Sequence, residues 1–167
     1  VFDALASITD ASETKPYVIK VAPGVYDEPA FALVDYVDVE GAGQGVTTLE
    51  CECGGAFPGT FVSACNITAE VRHLSIVNFG GTDVAWSSGF AATFAASDSV
   101  SLLHVSITAS GADGVTTAVY NRTDARIRIE HSTINAIAST GIGYGVNSES
   151  AASLDIRHST VTASAPE

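Results

Sequence analysis

The chain has no methionine, one tryptophan, two lysines and three cysteines, and only 16% of its 167 residues are charged, well below the usual quarter. Seven basic residues face 19 acidic ones, for a net charge of −12. That shortage of positive charge excludes the basic footprint on which nucleic-acid recognition rests. It also disfavours docking on anionic membrane surfaces. No run approaches the roughly 18 apolar residues of a membrane span, so no membrane insertion is expected. Because Met is absent, we expect a processed or trimmed product. The length fits a single domain over 1–167.

The charge is uneven. Residues 1–70 carry 11 acids and two lysines, a net −9, whereas residues 71–167 carry eight acids and five arginines, a net −3. The excess serves solubility first.

The cysteines are Cys51, Cys53 and Cys65, an odd number that leaves at least one thiol unpaired. In an extended strand Cys51 and Cys53 sit about 6–7 Å apart, which is awkward for a disulfide. Cys65 is free to pair with either across a loop, and Cys53–Cys65 is the bridge expected. The spacing lacks the C-x₂₋₄-C pattern and fourth ligand of a zinc site.

What the chain does have is a repeat. All four histidines fall in one local pattern of apolar, any, His, any, Ser/Thr, Ile/Val: Val71-Arg72-His73-Leu74-Ser75-Ile76, Leu102-Leu103-His104-Val105-Ser106-Ile107, Ile129-Glu130-His131-Ser132-Thr133-Ile134 and Ile156-Arg157-His158-Ser159-Thr160-Val161. The histidines are 31, 27 and 27 residues apart. Period-2 alternation leads into them through Val100 and Leu102, Ile127 and Ile129, and Leu154 and Ile156, which is the signature of strands. Turn formers such as Gly80-Gly81, Gly111, Gly114, Gly141 and Gly143 separate the runs. Units of this kind cannot bury their own apolar face and must stack as a solenoid. Without a helical period, short strands stacked coil on coil at about 4.8 Å fit best. The expected fold is all-β, a parallel β-helix.

The expected organisation has a capping helix over 1–10, where Phe2, Leu5 and Ile8 make one stripe, then irregular first coils over 17–70. Coils of about 27–31 residues follow over 71–167, the last of them incomplete. An open coil end is an edge hazard, so a homo-oligomer or filament through the C-terminal coil, or downstream sequence covering it, is expected.

These coils resemble right-handed parallel β-helix proteins of the pectin-lyase-like superfamily, in which apolar-x-apolar-x-[Asn/His]-x-x-[Ile/Val] is a recurrent coil. Tyr17-Val18-Ile19-Lys20-Val21-Ala22-Pro23-Gly24-Val25-Tyr26-Asp27-Glu28 is similar to the first strand and turn of pectinesterase-like chains, and Val37-Asp38-Val39-Glu40-Gly41-Ala42-Gly43 to the coil that follows. The resemblance implies that His73, His104, His131 and His158 stand in for the family's polar ladder, a structural role. Imidazole gains its proton in mildly acid solution and stacked imidazolium ions repel, so an acid-sensitive ladder is expected. Metal ligation is discounted, because a rung spacing of about 4.8 Å is long for two nitrogens on one ion. No cofactor is expected.

No catalytic residue is assigned. The family's QDT-like and DFxFG-like motifs are missing, and Phe57-Pro58-Gly59-Thr60-Phe61 and the repeats stand in their place. Glycoside hydrolysis would need a carboxylate pair roughly 5–9.5 Å apart. Asp83, Asp98, Asp113 and Asp124 are the candidates, Asp98 and Asp124 falling in neighbouring columns, but Asp before a strand commonly caps a turn. Glu130, Arg128 and Arg157 read as an outward ion-pair ladder of little energetic weight. Gly41-Ala42-Gly43-Gln44-Gly45 lacks the helix that a dinucleotide fingerprint requires and reads as a turn. Trp86, Tyr120 and Tyr144, with Phe90 and Phe94 near the first, offer flat faces for stacking on a sugar. Asn66-Ile67-Thr68 and Asn121-Arg122-Thr123 are sequons.

The expectation is thus a non-catalytic, extracellular or cell-surface module with a structural, adhesive or assembly role. A carbohydrate-active enzyme or fragment of pectinesterase or pectate-lyase type, and a glycan-binding module, are the alternatives; polysaccharide is the expected ligand class.

Overall fold

The computed structural model describes residues 1–55, 59–81, 84–93, 99–150 and 152–165. Phe57, Pro58, Asp83, Phe94, Asp98, Pro166 and Glu167 lie outside them.

Helix α1 (Phe2–Ser7) opens the chain, shorter than the expected 1–10. Its Leu5 is buried in the core and Ile8 packs against that core, while Phe2 is exposed. Among the described residues fifteen strands follow and pair in parallel along three faces. The first face stacks β1 (Tyr17–Lys20), β4 (Val37–Glu40), β7 (Ala69–Asn78), β9 (Ser99–Ser110), β11 (Arg126–Glu130) and β14 (Ser153–Arg157). The second stacks β2 (Gly24–Asp27), β5 (Thr47–Cys51), the later halves of β7 and β9, β12 (Thr133–Ile137) and β15 (Thr160–Ser164). The third stacks β3 (Phe31–Ala32), β6 (Thr60–Cys65), β8 (Trp86–Thr93), β10 (Val115–Arg122) and β13 (Ile142–Glu149). The chain visits the three faces in turn, which makes a parallel β-solenoid.

The histidines mark the bend between the first two faces. Each has a positive φ, 55°, 52°, 51° and 49° from His73 to His158, the left-handed region that few non-Gly residues enter. One such residue shifts the in–out phase of a strand by a position. Val71 and Leu74 point in, with Arg72 and His73 between them pointing out; Leu102 and Val105 do the same around Leu103 and His104. At the third bend the inward place after the His belongs to Ser132. Its hydroxyl donates to Glu130 O (2.8 Å) and accepts from Val105 N (3.1 Å), so a buried polar atom is satisfied by backbone.

The core is a set of columns: Leu102 over Ile129, and Ile76, Ile107 and Ile134 in line, all completely buried. In the last coil the matching Ile156 and Val161 are 39% and 40% exposed.

Candidate functional site

The three aromatic residues singled out for stacking lie on adjacent strands of the third face: Trp86 on β8, Tyr120 on β10 and Tyr144 on β13. Parallel pairing sets their neighbours. Trp86 is in register with Val115 and Ile142, Ser88 with Thr117 and Tyr144, Tyr120 with Asn147, and Arg122 with Glu149. Trp86 is held at the strand edge by two backbone hydrogen bonds to Gly55, both 3.2 Å.

Tyr120 is completely buried and offers no ring face to a ligand, which corrects the expectation that it stacks on sugar. Its ring centroid is 6.3 Å from that of Trp86, tilted by 59°, and its hydroxyl donates to Glu149 Oε2 at 2.9 Å. Burial, and then the Glu149 carboxylate, push the phenol pKa up to about 12. Asn147 Nδ2 donates to Glu149 Oε1 at 3.4 Å, so both carboxylate oxygens are engaged. The surface beside this network is apolar and aromatic: Ile142 is 54% exposed, Tyr144 40%, and Trp86 half-buried. Thr117 Oγ1, between Ser88 and Tyr144, is buried without a hydrogen-bond partner among the described residues.

Glu149, Asn147, Thr117 and Ile142 were not singled out in the sequence. A signal for the first two was present, because a 27-residue coil places Asn147 over Tyr120 and Glu149 over Arg122.

Of the carboxylate candidates within the described residues, Asp113 lies exposed in the turn before β10, and Asp124 lies in the turn before β11 with φ 55°. Both are turn positions, where Asp is favoured for its own local hydrogen bonding. Among the described residues no group of three or more His, Cys, Asp or Glu converges as a metal-binding cluster.

The first face carries ion pairs. Arg72 meets Asp38 (3.2 Å), Glu40 (2.8 Å) and Glu70 (2.5 Å), and Lys20 meets Glu40 (3.1 Å). Arg72, followed by Lys20, holds the Glu40 carboxyl below its usual range. Glu130 is in register with Arg157, but the closest ion pairs run along the strands, Arg128–Glu130 at 2.5 Å and Arg157–Asp155 at 2.8 Å.

The cysteines differ from expectation. The disulfide joins Cys51 to Cys53, with Cα atoms 5.2 Å apart, and Cys65 is free and exposed. The chain leaves β5 at Cys51, and completely buried Asn78 folds it back, accepting from Cys53 N (3.1 Å) and donating to Cys53 O (2.6 Å). That turn shortens the 6–7 Å of extended chain, while β6 carries Cys65 onto another face. The sequons also separate: Asn66 is exposed, and Asn121 is completely buried with Nδ2 donating to Ser153 O at 3.1 Å.

No protein-family model matches the chain, and no curated protein matches it. Among solved structures it is similar to a pectin methylesterase from Yersinia enterocolitica, with a TM-score of 0.64 at 16% identity over 84% of this chain and 51% of that one. It is also similar to a mutant pectin methylesterase in complex with hexasaccharide IV, with a TM-score of 0.53 at 15% identity over 94% of this chain and 61% of that one. The chain therefore spans about half to three-fifths of the length of these structures. The likeness is one of fold, a parallel β-helix.

Proposed function

We propose that this is a non-catalytic, extracellular β-helix module that adheres to polysaccharide through its third face. The observation that carries the reading is the strip formed by half-buried Trp86 on β8 and exposed Ile142 and Tyr144 on β13, on either side of β10, beside a carboxylate whose two oxygens are already engaged by Tyr120 and Asn147. Aromatic rings with a polar edge suit sugar rings, which present apolar faces and hydroxyl rims. The fold likeness to pectin methylesterases, one of them in complex with a hexasaccharide, supports a carbohydrate ligand. A net charge of −12 repels polyanions, so the favoured ligand is a neutral or fully esterified glycan.

Tryptophan fluorescence, with its single reporter Trp86, tests this by titration against neutral glycans and highly esterified pectin. Saturable quenching is expected, with affinity lowered roughly three- to tenfold in Tyr144→Ala, the value of one aromatic contact. No response to any glycan would overturn the reading.

The fold likeness also favours a second reading, ester hydrolysis on pectin, with Glu149 as the acid–base group. Methanol release from esterified pectin that disappears in Glu149→Gln would establish it in place of the first.

A further inference from the structure

The histidine ladder plays no part in the third face. Its rings stack at centroid distances of 5.1 Å (His73–His104), 4.8 Å (His104–His131) and 5.0 Å (His131–His158), with interplanar angles of 17°, 7° and 9°. All four residues are exposed. Among the described residues no hydrogen bond or ion pair engages a ring nitrogen of these exposed side chains.

That exposure removes the objection raised against metal ligation from rung spacing. Two imidazole nitrogens at 2.0–2.1 Å from one ion sit about 3–3.5 Å apart. Rings 4.8 to 5.1 Å apart in near-parallel planes must close by about 1 Å each and turn out of their stack, so that both in-plane lone pairs converge on the ion. Packed rings would resist such a motion, but exposed rings rotate freely on the nanosecond timescale. The backbones beneath are fixed by parallel pairing on both sides of the bend, so the two donors are already neighbours before an ion arrives.

We propose that adjacent rungs chelate borderline divalent cations of the Cu²⁺, Ni²⁺ and Zn²⁺ class, His73 pairing with His104 and His131 with His158, with water filling each remaining position. Neutral imidazole suits these ions, whereas Mg²⁺ and Ca²⁺ demand oxygen ligands that do not converge here. The charged neighbours do not oppose an approaching cation as free charges. Arg72 is engaged by three acids, Arg157 by Asp155, and Glu130 by Arg128. Leu103 precedes the remaining rung, and the −12 net charge raises the local cation concentration. Each bound ion ties two coils together across the bend.

The design of the ladder supplies its own test by calorimetric titration of Cu²⁺ or Ni²⁺ at neutral pH. The wild type is expected to take two ions. His73→Asn/His158→Asn keeps the central pair and should take one. His104→Asn/His131→Asn leaves two imidazoles three coils apart and should lose saturable binding. Asn is chosen because it tolerates the left-handed backbone, and circular dichroism checks that each variant folds. Bound ion should raise the melting temperature of the wild type and of His73→Asn/His158→Asn, and leave that of His104→Asn/His131→Asn unchanged. Tyr144→Ala should bind ions as the wild type does, which separates this site from the third face. Undiminished binding in His104→Asn/His131→Asn, no binding by the wild type, or equal binding of Mg²⁺ would overturn the proposal.

Discussion

The Tyr120 hydroxyl donates to Glu149 Oε2 at 2.9 Å, joining β10 to β13 from beneath the exposed edge of the third face. It is the shorter of the two hydrogen bonds that hold Glu149, the other coming from Asn147. Tyr120→Phe leaves a partly buried carboxylate oxygen without its donor, at an expected cost of about 1–3 kcal/mol. Chemical denaturation with unchanged m-value checks it.

The same phenol predicts the alkaline limb of stability. Its pKa is near 10 in the unfolded chain and about 12 in the folded one, so the folded state binds the proton more tightly between those values. Stability from this group is full below pH 10 and falls as pH rises from 10 toward 12. In Tyr120→Phe that part of the decline should vanish, as followed by melting curves across the interval.

Arg72 draws Asp38, Glu40 and Glu70 together on the first face. Arg72→Met leaves three neighbouring carboxylates in mutual repulsion and should destabilise the chain by about 1–3 kcal/mol at low salt, each partner being a partly exposed ion pair. The loss should shrink toward 1 M salt, where the screening length is about 3 Å. Because Arg72 and Lys20 lower the Glu40 pKa, the Glu40 contribution is present at neutral pH and lost as pH falls through the acid range.

Gly111 has φ +86°, and a Cβ placed there would lie 1.9 Å from Phe79 O. Gly111→Ala combines a disfavoured backbone with a contact to main chain of the neighbouring coil. A cost of roughly 1–3 kcal/mol or more is expected, against a smaller one for Gly45→Ser, where the positive φ is also strained for a side chain but no atom lies within 4 Å. Thermal unfolding of the two variants side by side decides it.

The cysteine arrangement predicts one reactive thiol. Native protein should react with a thiol reagent once, at Cys65, and Cys65→Ser should abolish that reaction without altering the disulfide. Three free thiols in the native state, or a reactive thiol at Cys51 or Cys53, would contradict the Cys51–Cys53 bridge.

The sequence by itself determined the solenoid, because a residue type repeated at a fixed interval must fall in one column when coils stack. The four histidines, the Leu102–Ile129–Ile156 column and the Ile107–Ile134–Val161 column were all legible that way. Three matters were decided only by tertiary structure, each for a local physical reason. The histidines point outward because a single left-handed residue shifts the in–out phase, which alternation alone does not reveal. Tyr120 is buried while Tyr144, one coil on, is exposed, because burial depends on what packs over a strand and not on its pattern. Cys53 turns back to Cys51 because Asn78, twenty-five residues away, grips its backbone from both sides. Periodicity sets which residues are neighbours; contacts from other coils set which way they face and what they can bind.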